Sequence, residues 1–123
     1  MLSAVNQQET STMRKYRNLK SLELALQNAK GKYEKGVAYY RIGLFHDNNS
    51  REAMAIPFYK KALQLDLDAS TKAKALAWLA SSLYKTGKSK QALSKVNKSI
   101  VVSRDKRLKQ FLVRLKNRIE KTL

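Results

Sequence analysis

His46, the only histidine among 123 residues, stands next to Asp47, and such a pair could accept a proton if a nucleophile were held beside it. The rest of the inventory works against catalysis. One histidine supplies neither a metal site nor a triad without partners. There is no cysteine to serve as thiolate or metal ligand, and the nine acids are scattered without a paired-carboxylate spacing. The four glycines form no phosphate-cradling loop. The chain is therefore expected to be no enzyme, with no metal site and no cofactor, and His46 to be a packing or capping residue.

What the side chains offer instead is attraction for anions. Lysine and arginine number 26, giving a formal net charge of +17, and the stretch from Lys85 to Leu123 holds 13 basic residues against the two acids Asp105 and Glu120. Such a surface draws acidic or polyanionic partners at long range and loses its pull as salt rises. Interleaved Tyr16, Tyr33, Tyr39, Tyr40, Trp78 and Tyr84 could stack on unpaired bases, so nucleic acid is the rival of an acidic protein partner. The discriminating feature is whether the lysines of the last three helices form one stripe. A third class, self-assembly through the ends of a helical stack, requires no ligand.

The elements that must carry these groups follow from caps and periodicity. Apolar residues make up 43% of the chain, enough for a core, and no stretch alternates like a strand, so the fold class is all-α. After an N-terminal tail over 1–12, expected to be disordered, Met13, Tyr16, Leu19, Leu22, Leu26 and Ala29 recur at helical spacing and predict a first helix ending near Gly31. A second helix runs through "VAYYRIGLF". Asn49 and Glu52 have capping-box spacing and predict a third helix from about Ser50, kinked or delayed by Pro57. A fourth follows Ser70 and ends before Gly87, a fifth spans Ser89 to Val102, and Ser103 is placed to cap a sixth carrying Leu108, Phe111, Leu112, Leu115 and Ile119. Short turns make successive helices antiparallel neighbours.

Sliding the chain against itself by 37 residues aligns Ile42 with Leu79, Gly43 with Ala80, Ser50 with Gly87, Ala55 with Ala92, and Leu63 with Ile100. Small residues recur where two helices of a hairpin must approach closely. On these residues, "YYRIGLF…REAMAIPFYKKALQLD" at 39–66 and "LAWLASSLYKTGKSKQALSKVNKSIVV" at 76–102 resemble two tetratricopeptide repeats. His46 and Leu83 replace the usual tyrosine, and Val96 and Ser99 replace the usual aromatic and second alanine. The resemblance implies a single domain over 13–123: antiparallel hairpins stacked as a short right-handed superhelix of about six helices. The repeats fall at about 36–69 and 73–106, with a capping helix at about 104–122. The extra residues around "DLDASTKA" are expected to loosen the junction without touching either hairpin.

The resemblance further implies a protein-interaction module whose first helices line a concave groove. By that likeness the lining is Val37, Tyr40, Arg41 and Leu44 from one unit and Lys74, Ala77, Trp78, Ser81, Tyr84 and Lys85 from the next. Aromatics flanked by lysines suit a peptide or partner helix with an apolar anchor and acidic neighbours. The alternative, that Trp78 and Tyr84 only pack on the first or sixth helix, stays open at this level. No apolar run is long enough to span a bilayer, and the first residues lack a secretory layout, so a soluble, cytoplasmic protein without membrane insertion is expected. The early Ser/Thr residues followed by Arg14, Lys15, Arg17 and Lys20 leave organelle import as the other reading.

Overall fold

The computed structural model describes residues 18–123, and among these there are six helices and no strand. They are α1 (Leu19–Asn28), α2 (Gly31–Asn48), α3 (Glu52–Leu63), α4 (Ala69–Lys85), α5 (Ser89–Val102) and α6 (Lys106–Lys121). Connections of two to five residues force antiparallel packing: α2 pairs with α3, α4 with α5, the hairpins meet through α3 and α4, and α1 and α6 flank the two ends. Among the described residues no helix is long and apolar enough to cross a membrane.

The predicted start of the first helix at Met13 and Tyr16, and the tail over 1–12, lie outside the described residues. The described part of α1 opens at Asn18, whose side chain accepts from the Ser21 backbone N–H at 3.1 Å. Gly31 does more than close α1. It begins α2 with φ +78°, which makes α2 several residues longer than the run "VAYYRIGLF". Asn49 caps in the opposite direction from the one expected: its Nδ2 donates to the Phe45 carbonyl at 2.7 Å, closing α2, and α3 starts at Glu52 after Arg51, whose side chain makes no capping bond. Pro57 neither breaks nor delays α3. Both Pro57 and Ala53, whose carbonyl loses its helical donor there, are exposed, so water can satisfy that oxygen. The cap of α6 is Asp105, whose Oδ1 accepts from the N–H groups of Arg107 and Leu108, while Ser103 supports the turn by accepting from the Asp105 N–H.

Two turns separated by the repeat period share a backbone device. Ser50 has φ +58° and Gly87 has φ +85°, so the hairpins turn through the same left-handed residue although only one of them uses glycine. The junction between hairpins departs from expectation. Leu65 and Leu67 are half-buried and fold back on α2, where a Cβ at Gly36 would meet Leu67 Cδ2 at 2.9 Å and Leu65 Cβ at 3.2 Å. The extra stretch therefore touches the first hairpin, Leu67 packing with Leu65 against a side-chain-free position of α2 and removing apolar surface from water.

The main core joins α3 to α6 through Ala55, Tyr59, Leu79, Leu83, Val96 and Leu112, all fully buried. Its helices also exchange a buried bond, Ser99 Oγ donating to the Ala73 carbonyl at 2.7 Å. A smaller cluster of Leu22, Ile42 and Phe45 fastens α1 to α2.

Candidate functional site

α2 and α4 are the first helices of the two hairpins, and α6 takes the next place along the stack. Their shared side brings together residues far apart in sequence. Trp78 Nε1 on α4 donates to Tyr40 Oη on α2 at 3.2 Å, and the Trp78 ring lies 5.3 Å from Phe111 on α6, inclined at 58°. All three are half-buried. The ring of Tyr40 also leans on Tyr59 at 6.1 Å, which fixes it from behind. Phe111 was read in the sequence only as part of the sixth helix's apolar stripe. Its contact with Trp78 adds it to this face, and the register that places it there is a tertiary fact with no local signal.

The remaining predicted lining residues divide. Leu44 and Tyr84 are half-buried against the main core, and Ser81 is half-buried beside them in α4. Ala77 is fully buried, so its methyl packs between helices and presents no surface to a partner. Val37 and Arg41 open instead into a crevice of about 450 Å³ between α1 and α2, which also includes Leu22 and Tyr33. Lys74, near the start of α4, borders a separate cavity of about 370 Å³ with Arg104 and Asp105. Lys85, near the end of α4, lies 3.9 Å from Glu52, the single side-chain salt bridge among the described residues. The structure thus gathers Tyr40 and Trp78, adds Phe111, and sets the two lysines about 16 Å apart along the helix axis.

Among the basic residues, Lys72, Lys95 and Lys98 share one groove, Lys74 and Arg104 another, and Lys106, Lys109 and Arg114 line a third on α6.

His46 and Asp47 are built into the first hairpin. His46 is 2% exposed, stacks on Phe58 with centroids 5.4 Å apart, and accepts from Arg51 Nε at 3.2 Å through Nδ1. Burial first, and the Arg51 guanidinium second, hold its pKa below the usual 6.5, with Glu23 opposing. Asp47 Oδ2 accepts from Tyr59 Oη at 2.8 Å, and burial raises its pKa although that bond and Lys85 favour the anion. Burial and Asp47 together keep the Tyr59 phenol protonated. Each group is committed to a packing partner. Among the described residues no cluster of three or more His, Asp or Glu is placed to hold a metal ion.

Hairpins of equal period, with small residues at the crossings and an aromatic run along the first-helix side, define a helical-hairpin repeat protein. The model of the tetratrico peptide repeat family matches residues 36–115, about two thirds of the chain, and the chain belongs to that family. No curated protein is significantly similar to it.

Proposed function

We propose that this chain is a non-catalytic interaction module that receives a peptide or partner helix on the face formed by α2, α4 and α6. Its family is one of protein-interaction scaffolds, so a protein partner is the coarse expectation. The observation that carries the finer reading is the run Tyr40–Trp78–Phe111, three half-buried rings on three helices. Rigid aromatics give large contact area at low entropic cost, and positions fixed by a hydrogen bond and a ring contact are pre-organised for an apolar anchor. Lys74, one helical turn before Trp78 on α4, and the chain's net charge of +17 favour acidic residues flanking the anchor.

Trp78 is the chain's only tryptophan, so its emission reports this face directly. Titration with helical peptides carrying a leucine or phenylalanine anchor between glutamates should shift and saturate that emission, and Phe111→Ala should weaken binding by ~10-fold or more. Saturable binding with unchanged Trp78 emission would refute the assignment of this face. A single-stranded oligonucleotide that binds at about 50 mM salt and loses ~10³-fold in affinity by 200 mM would replace the peptide reading with phosphate recognition.

A further inference from the structure

A different surface carries charge and apolar area together. Where the end of α3 meets α4 and α5 lies an open groove of about 660 Å³, lined by Leu63 of α3, Lys72 and Leu76 of α4 and the second half of α5. Its floor is Leu76, 4% exposed, with half-buried Leu63 and Val102. On its lip stands Val101, 84% exposed, the highest value for a large apolar residue among those described. Lys72, Lys95 and Lys98 rim it.

We propose that this groove is a second docking site, distinct from the Tyr40–Trp78–Phe111 face, for a short acidic segment of a partner protein with an aliphatic or aromatic anchor. The anchor would rest on Leu63, Leu76 and Val101, and the carboxylates would meet Lys72, Lys95 and Lys98. Charge complementarity selects this occupant. Lys95 is partly buried, and its ammonium is pushed down from the usual range by burial, then by Lys98 and Lys60. Cations crowded together are relieved by an anion. A second copy of a chain carrying +17 brings like charge instead, and residues 1–17 hold Arg14, Lys15 and Arg17 against Glu9 alone. The apolar floor distinguishes the site from a bare cationic surface: an acid without an anchor leaves Val101 in water. With both faces occupied, one small chain could bridge two partners.

The test uses the full chain and a fluorescein-labelled peptide with two leucines between two runs of four glutamates, followed by anisotropy at about 150 mM salt. Saturable binding is expected. Lys95→Glu combined with Lys98→Glu should weaken it by ~10-fold or more, and Val101→Asn, at an exposed site that does not hold the fold, by ~5-fold. A peptide with serines replacing the leucines should bind ~10-fold more weakly. Lys109→Glu combined with Arg114→Glu makes the same charge change on the outer face of α6. Equal weakening by that pair, or equal binding of the serine peptide, would reduce the effect to long-range attraction and overturn the proposal. So would absence of binding. Loss of binding in Tyr40→Ala with none in the lysine pair would place the peptide on the aromatic face, overturning this site while supporting the other.

Discussion

Gly43→Ala is the substitution whose effect the structure fixes most tightly. A methyl group on Gly43 would stand 2.7 Å from both Cδ1 and Cε1 of Tyr59 and 3.2 Å from its Cζ. Carbon atoms prefer about 3.5–4.0 Å, so one of the two helices or the ring must move. Tyr59 is fully buried, and its hydroxyl is tied to Asp47 at 2.8 Å, so the ring cannot slide without loosening that bond. Overpacking of this kind costs about 1–3 kcal/mol, and the loosened hydrogen bond about 1 kcal/mol. Alanine returns about 1 kcal/mol of helix propensity. The net expectation is a loss of about 2 kcal/mol, a fall in Tm of roughly 6–10 °C for a chain of this length. Thermal and urea unfolding followed by far-UV circular dichroism would measure it. The second hairpin shows how the clash is avoided: one period on, the same two positions hold Ala80 and Val96, both fully buried. Gly43→Ala combined with Tyr59→Val copies that solution, and the double variant should be more stable than the sum of the singles by about 1–2 kcal/mol. Additivity within about 0.5 kcal/mol, or a Gly43→Ala variant more stable than the parent, would refute the argument from close approach.

Three further outcomes follow from individual positions. Ser50→Gly should stabilise by about 0.5–1 kcal/mol in the same unfolding assay, because φ +58° strains a residue with a Cβ and glycine already serves at the equivalent Gly87. Ser82→Ala should be neutral or stabilising by up to about 1 kcal/mol, since Ser82 Oγ is buried without a hydrogen-bond partner; a clear loss in urea stability would show that the hydroxyl is satisfied in solution. His46 gives a pH dependence of defined sign. Its folded pKa is lowered, so the stability it contributes is present above its usual 6.5 and is lost as pH falls below that value through the folded pKa. Tm measured from pH 7 to pH 5 should fall in the parent and flatten in His46→Gln, and parallel slopes would exclude His46 as the cause.

The helices were legible because their apolar residues recur at three and four, and the hairpin repeat because Gly43, Ala80, Ala55 and Ala92 keep one period. Capping was legible only in type. Asn49 has the right chemistry for a helix start, yet the tight turn through Ser50 directs its amide back to the Phe45 carbonyl. Asp105 was passed over for Ser103, two residues earlier, because either side chain can bond a free N–H and only the path of the turn decides between them. Pro57 signals a break unless one knows that Ala53 faces water. The pairing of Tyr40 with Trp78 lay within reach of the repeat period, whereas Phe111 joined them through the packing of a helix that lies beyond the two repeats. Ala77 was placed on the groove by analogy of position, and the closeness of the neighbouring helices buried it. Lys98 and Val101 share a face of α5 by their spacing of three, whereas the arrival of Lys72 beside them had no local signal, because it depends on how α4 and α5 are offset along their hairpin.

The two clusters also set the order in which the protein comes apart. Contacts run mainly between neighbouring helices, so opening at one end leaves the other end largely intact. α1 is fastened to α2 by the small patch around Leu22, while α4 and α5 share both the main cluster and the buried Ser99 bond. Amide protons should therefore exchange fastest in α1, through openings that never unfold the chain, and slowest in α4 and α5. Trp78, on α4, belongs to the slow centre. A surface anchored there keeps its shape while the α1 flank frays and closes many times, so recognition by that ring is insulated from the fastest-opening helix of the molecule.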